Sequence, residues 1–277
     1  MNRKLIFILL LSFGCSIGID GLKIPLNIIS LKNGRTSQIG LSSLNQLFNE
    51  NSFIEFNYIN WIPGIDGKSI NWKNSNNFIK YFSISSIVDN EVYYYGEVPS
   101  DKSDFKLPAS LYTASIVIAK NIVGLNSIIE IKPFLSRLYY YKNYGLILNT
   151  YIEKHINTSN YFTISFKNFG ILPGLKSELS LFNEISMQYN KKINNNFNLI
   201  GLGFHIEDNH HNTYLTLSYN KSILTTNFSL DYSSFRGFGY SGGILIDYNN
   251  FTVGYISSSS VIESLSNSQI ISVKFHF

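Results

Sequence analysis

Gln269-Ile270-Ile271-Ser272-Val273-Lys274-Phe275-His276-Phe277 ends the chain. Successive side chains of a strand point to opposite faces. Ile271, Val273, Phe275 and Phe277 therefore share one face, and Ser272, Lys274 and His276 share the other. A half-buried edge strand of a soluble sheet gives the same alternation. An alternating strand that stops on an aromatic is also the pattern of a closing strand in an outer-membrane β-barrel, with the apolar row against lipid and the polar row in a wet lumen. On that reading Ile271, Val273, Phe275 and Phe277 form the signal read by the barrel assembly machinery.

The other end of the chain favours the barrel. Asn2, Arg3 and Lys4 precede the apolar run Leu5 to Leu11, and small residues follow at Ser12, Gly14, Ser16 and Gly18. The run is too short to span a bilayer, so residues 1–18 read as a cleaved export signal. Cys15 is the single cysteine. Its context lacks the Leu three residues upstream that lipid attachment prefers, and with one cysteine no internal disulfide forms.

Composition agrees with export to a membrane. Charged residues make up 14%, aromatics 15%, and mean hydropathy is +0.03. No later segment carries 18 uninterrupted apolar residues, which excludes a helical membrane protein; a closed sheet is the other structure that satisfies its backbone in lipid. The 19 Tyr and 21 Phe can supply aromatic girdles at both interfaces. A net charge of +4 is too modest to point to nucleic acid. The implied location is the outer membrane of a Gram-negative-type bacterium, with its lipid as the first partner.

Alternation and turn residues predict about fourteen antiparallel strands, near 53–60, 78–88, 91–98, 110–120, 126–135, 143–155, 160–169, 177–189, 196–206, 212–220, 223–232, 240–248, 251–258 and 269–277. Tight turns are expected at Asp89-Asn90, Ser159, Lys221-Ser222 and Asn249-Asn250, because Asn and Asp tolerate the left-handed backbone of two-residue hairpins. Long outer links are expected at 61–77, 99–109, 136–142, 170–176, 233–239 and 259–268. In 110–120 both faces are fairly apolar, which suits a narrow or plugged lumen. The fold class is all-β, a transmembrane antiparallel barrel over 52–277. Before it, the stretch 31–51 does not alternate, and 19–51 is the candidate plug.

The segment Asn33-Gly34-Arg35-Thr36-Ser37-Gln38-Ile39-Gly40-Leu41-Ser42, followed by Asn49 and Phe56-Asn57, resembles the amino-terminal part of PorV/PorQ-type outer-membrane proteins, relatives of FadL-like fatty-acid channels. Further similar stretches are Leu111-Tyr112-Thr113-Ala114-Ser115, Tyr144-Gly145-Leu146, Phe166-Lys167-Asn168-Phe169-Gly170, Leu172-Pro173, Gly237-Phe238-Gly239, Gly242-Gly243, and Phe251 to Tyr255. Tyr58-Ile59 departs from the Pro-Ala expected after Asn57, and Asn149 stands where Asp is common. The resemblance implies a fourteen-stranded barrel closed by its amino-terminal segment, with Arg35, Gly40 and Asn57 as plug or latch residues. It also implies one of two roles. The first is an accessory of type IX-like protein secretion, partnered by secretion-system components or exported cargo. The second is a transporter of small hydrophobic compounds.

No cofactor, metal or catalytic group is expected. His205, Glu207, Asp208, His210 and His211 could place imidazoles and carboxylates around zinc or copper, but their spacing matches no helical metal motif, and a strand end is a natural place for solvated polar residues. His155 and His276 have no local signature pairing them with a nucleophile. Arg35 could bond lumen carbonyls or Glu55. As an interaction protein the chain would present 61–77 and 99–109; as a transporter it would hold its ligand near Trp61, Trp72 and Tyr93 to Tyr95.

Overall fold

The computed structural model describes residues 51–277 except for 63, 76–77, 90–92, 95–104, 107–108, 139–140, 172–183, 195, 208–209, 235–236 and 261–267. The expected export signal and plug, with Arg35 and Gly40, lie outside these residues.

All regular structure among the described residues is β: β1 (Phe53–Ile62), β2 (Ile65–Lys73), β3 (Ile79–Asp89), β4 (Tyr93–Tyr94), β5 (Phe105–Lys106), β6 (Ala109–Ile122), β7 (Leu125–Leu138), β8 (Tyr141–Asn157), β9 (Asn160–Ile171), β10 (Glu184–Lys192), β11 (Phe197–Glu207), β12 (His210–Lys221), β13 (Leu224–Ser233), β14 (Gly237–Tyr248), β15 (Phe251–Ser260) and β16 (Ser268–His276). Fourteen of these strands form one closed antiparallel barrel. β4 and β5 make a separate two-stranded ladder within the link from β3 to β6. Closure comes from β1, which pairs with β2 on one side and with β16 on the other, Phe53 opposite His276 and Asn60 opposite Gln269. Closing the sheet leaves no unpaired edge strand, the condition for a sheet to stand in lipid.

The strand count agrees with the sequence reading, although two of the segments differ. β2 occupies most of 61–77, which was expected to be an outer link. Its inward side is Ile65, Gly67, Ser69, Asn71 and Lys73, so the polar lumen supplies the polar phase of the alternation, and Lys68 on the outer side breaks the apolar one. Of the expected strand 91–98 the described residues are Tyr93–Tyr94, which belong to the small ladder and not to the barrel. Of the turn expected at Asp89-Asn90, Asp89 ends β3 and Asn90 lies outside the described residues. β7 and β8 also run further than expected, leaving only 139–140 between them. Their 14 and 17 residues exceed the roughly 9–11 that cross a bilayer.

The links differ between the two ends, although the loop end also holds the two-residue links 63–64, 139–140 and 208–209. At the end where β1 begins and β16 finishes, 123–124, 158–159, 222–223 and 249–250 are two-residue turns. Val123, Ser222 and Asn249 have positive φ there, and Gly124 follows Val123 at φ 76°, the left-handed pair a type I′ hairpin needs. The longest links, 90–108 and 172–183, lie at the other end, called the loop end below. This asymmetry is typical of outer-membrane barrels.

The outer surface carries the apolar phase. Phe56, Ile70, Ile84, Phe228, Ile244, Val253, Ile271 and Val273 are all exposed. Aromatics gather near both rims: Tyr58, Tyr112, Tyr144, Tyr232, Phe238 and Tyr240 toward the loop end, and Phe197, Tyr248, Phe251, Phe275 and Phe277 at the other. Such belts mark the two water–lipid interfaces. Ile271, Val273, Phe275 and Phe277 face outward together, while Ser272 and Lys274 are buried inside.

Candidate functional site

The lumen is the functional candidate, and its wall is two-sided. From β7 to β10 many inward residues are large or charged, and most of them pair across strands. Glu130 on β7 accepts from the Asn149 amide at 2.7 Å and from the Tyr151 hydroxyl at 3.3 Å, both on β8. Asn126 and His155 meet Glu153 at 3.1 and 2.9 Å. Lys167 on β9 donates to Glu184 on β10 in a buried ion pair. A buried charge is tolerated only where such partners are supplied.

A β-bulge builds part of this wall. Leu148 pairs with Phe169 and Thr150 with Phe166, so Lys167 and Asn168 together oppose Asn149. Both are buried, and Asn168 takes φ 62°, a left-handed backbone that Asn tolerates better than most residues. The bulge adds Asn168 to the inward phase that Ser165 and Lys167 already share, and lets the Asn168 backbone N–H donate to Asn149 Oδ1 at 2.7 Å. Strict alternation would send Lys167 or Asn168 outward, which is why sequence periodicity misses this pair. The readable signal is Asn168 close to Gly170 inside an otherwise regular strand.

From β12 to β16 most inward residues are small, with Tyr214, Asp231, Ile256, Ile270 and Lys274 as the larger ones. Thr216 and Ser218, Thr225, Asn227 and Ser229, Ser241 and Gly243, Gly254, Ser258, Ser268 and Ser272 point inward. Thr216 bonds Ser229, and Ser258 bonds Ser268. Gly243 has a packing reason: a Cβ there would lie 2.2 Å from Ile256 Cγ1, so the Ile256 side chain occupies that space.

Between the two walls, β1, β2 and β16 carry a polar seam. Glu55 accepts from Asn71 Nδ2 at 2.9 Å and from Ser272 Oγ at 3.0 Å, and Asn57 Nδ2 donates to Ser69 Oγ at 3.0 Å. Lys274 lies 4.4 Å from the Phe53 ring centroid. Asn57 is thus a residue of the barrel wall on β1.

Toward the loop end the wall changes character. Ile59, Ile87, Leu111, Ile256 and Ile270 point inward and follow one another in register across β15, β16, β1, β3 and β6, with Gly67 of β2 between Ile59 and Ile87. Their outward neighbours on the same strands include Asn60, Ser86, Ser257 and Gln269. Further along these strands the order is the reverse, with Glu55, Asn57, Ser272 and Lys274 inside and Phe56, Tyr58, Ile271 and Val273 outside. The barrel turns from polar-in to apolar-in where its outer face loses its lipid-facing row. An apolar stripe therefore lines the loop-end mouth.

Other sequence candidates are not gathered into this site. Trp72 lies on the outward phase of β2, away from the lumen. Glu207 pairs with His210 and Ile206 with His211, whose side chain is exposed. Among the described residues no three His, Cys, Asp or Glu side chains group as metal ligands.

No protein-family model matches the chain, and no curated protein matches it. Solved structures of similar fold do. One, titled "CymD monoaromatic hydrocarbon channel", superposes with a TM-score of 0.62 at 7% identity over 92% of this chain and 98% of that one. A triple mutant of the Rhodopseudomonas blastica porin gives a TM-score of 0.42 at 9% identity over 82% of this chain and 99% of the other. The chain has the fold of an outer-membrane channel-like β-barrel.

Proposed function

We propose that this chain is a non-enzymatic outer-membrane channel that admits small hydrophobic compounds from the loop end. Residues 1–18 would direct its export and 19–51 would plug its lumen. The observation that carries the reading is the apolar stripe of Ile59, Ile87, Leu111, Ile256 and Ile270 inside the loop-end mouth. A pore for ions or sugars gains nothing from an isoleucine lining, whereas a hydrophobic solute that displaces what covers these side chains, which keep no more than 1% of their surface, finds an apolar partner there. The hydrocarbon-channel title of one fold neighbour suggests the probe.

Purified protein in proteoliposomes should bind and admit toluene, and Ile59→Asn with Ile270→Asn should reduce uptake several-fold while the barrel keeps its heat-dependent shift in gel mobility. Equal uptake by variant and parent would sink the proposal. The secretion-accessory role implied by the PorV/PorQ resemblance draws no comparable support, since its expected docking link 61–77 is mostly strand β2. Recovery of the protein from outer-membrane fractions tests the location that both roles share.

A further inference from the structure

On β8 the outward row begins at Lys154, runs through Ile152, Thr150, Leu148, Leu146 and Tyr144, and ends at Lys142, so a lysine stands at each end. At about 3.3 Å per residue and a tilt of roughly 40°, Lys142 lies about 30 Å above Lys154, a little more than the roughly 25 Å of the apolar band. Lys142 is therefore at headgroup level in the leaflet on the loop side. The β7 row, Ile129, Ile131, Pro133 and Leu135, ends in the same way at Arg137. Leu135 pairs in register with Tyr144, and Arg137 with Lys142. Each cation thus comes one outward position after the last lipid-facing side chain of its strand, and both are exposed.

Side chains of directly opposed residues start about 4.5–5.5 Å apart, and like charges placed there repel. At the same end the outward positions Asn60, Thr213, Ser257 and Gln269 are neutral, and Lys68 of β2 shares its face with Asp66. The positive charge is concentrated in one sector. Beside the pair, Ser110, Tyr112 and Tyr144 on the same face add hydroxyls rather than carboxylates. Arg137 has an interaction of its own, and the five N–H donors of a guanidinium leave room for another acceptor.

A guanidinium fork beside an ammonium matches a phosphate: the fork takes two of its oxygens and the ammonium a third. An anion between the two cations replaces their repulsion by attraction on both sides. We infer that Arg137 and Lys142 hold the phosphate of an outer-leaflet lipid. Its acyl chains lie along Leu135, Leu146 and Leu148, and its sugar or glycerol meets the Tyr112 and Tyr144 hydroxyls. The apolar row directly below the pair gives a lipid contacts that a free phosphate lacks. The inference rests on the proposed outer-membrane location with the loop end outward, and not on any transported compound.

The test strips the full chain of lipid in detergent, adds diphosphoryl lipid A, and counts bound lipid by native mass spectrometry. The parent should retain one lipid. Arg137→Gln with Lys142→Gln should weaken retention several-fold while the heat-dependent gel shift persists, and Lys154→Gln at the other rim should leave it unchanged. Dephosphorylated lipid A should bind the parent no better than the diphosphoryl form binds the double variant. Equal retention by parent and double variant, or of the two lipids by the parent, would overturn the site. Complete displacement of the lipid by millimolar inorganic phosphate would overturn it too, as the mark of a free-anion site. If the double variant loses its heat shift, Lys142→Gln alone is scored on the same counts. Location is read separately from outer-membrane fractions, so a failed location and a failed phosphate site are told apart.

Discussion

The two walls of the lumen solve one problem in opposite ways. From β7 to β10 the chain fills the interior with long and charged side chains, many paired across strands, as Lys167 is with Glu184 and Glu130 with Asn149. From β12 to β16 it places Ser, Thr and Gly and leaves Asn227 unpaired. Neither wall is fully satisfied, since among the described residues Glu153 Oε2, Asn168 Oδ1 and Asn190 Nδ2 lack partners on the first as Asn227 does on the second; the walls differ in the size and charge of the side chains that line them.

The largest effect that would break this contrast is expected on the charged wall. Glu184→Ala leaves Lys167 buried and uncompensated and should cost about 3–5 kcal/mol, while Lys167→Met combined with Glu184→Leu should restore most of it. Urea midpoints of the barrel in detergent measure both. Equal loss in single and double variants would mean the ion pair is not what holds that wall.

Both walls share a lipid-facing exterior, and the next effect tests where it ends. Val273→Arg should cost about 2–4 kcal/mol in lipid, and Ser257→Arg no more than about 1 kcal/mol. Similar costs at the two positions would remove the polarity change that defines the apolar mouth. Within the small-residue wall, Gly243→Ala should destabilise by about 1–3 kcal/mol through overpacking on Ile256. Adding Ile256→Ala should relieve the clash, seen as non-additive midpoints.

The smallest effect lies in a turn that belongs to neither wall. Val123 is 97% exposed at φ 49°, a left-handed conformation that a β-branched residue resists. Val123→Asn should stabilise by about 1 kcal/mol. A destabilised variant would show that the turn depends on the valine side chain.

The sequence by itself determined which side of most strands faces which way, because side-chain direction in a strand is a local property with period two. Ile271, Val273 and Phe275 were legible as one outward row, whereas both faces of 110–120 read as fairly apolar, and only the barrel shows that Leu111, Thr113, Ser115 and Val117 face inward. The tight turns at Ser159, Ser222 and Asn249 were legible for the same reason, since turn residues report their own backbone. Tertiary structure alone decided the rest. Ile65 to Lys73 is a strand because β1 and β3 pair with it, not because its own residues alternate cleanly. Glu55 finds Ser272 across 217 residues only when the barrel closes. Lys167 meets Glu184 through the β9–β10 register, and Asn168 joins it on the inner face because a bulge adds one residue to β9. The apolar mouth arises from isoleucines on β1, β3, β15 and β16 that are far apart in the chain. Alternation is written residue by residue, whereas register and closure depend on pairings between distant segments, and the lumen is built from those pairings.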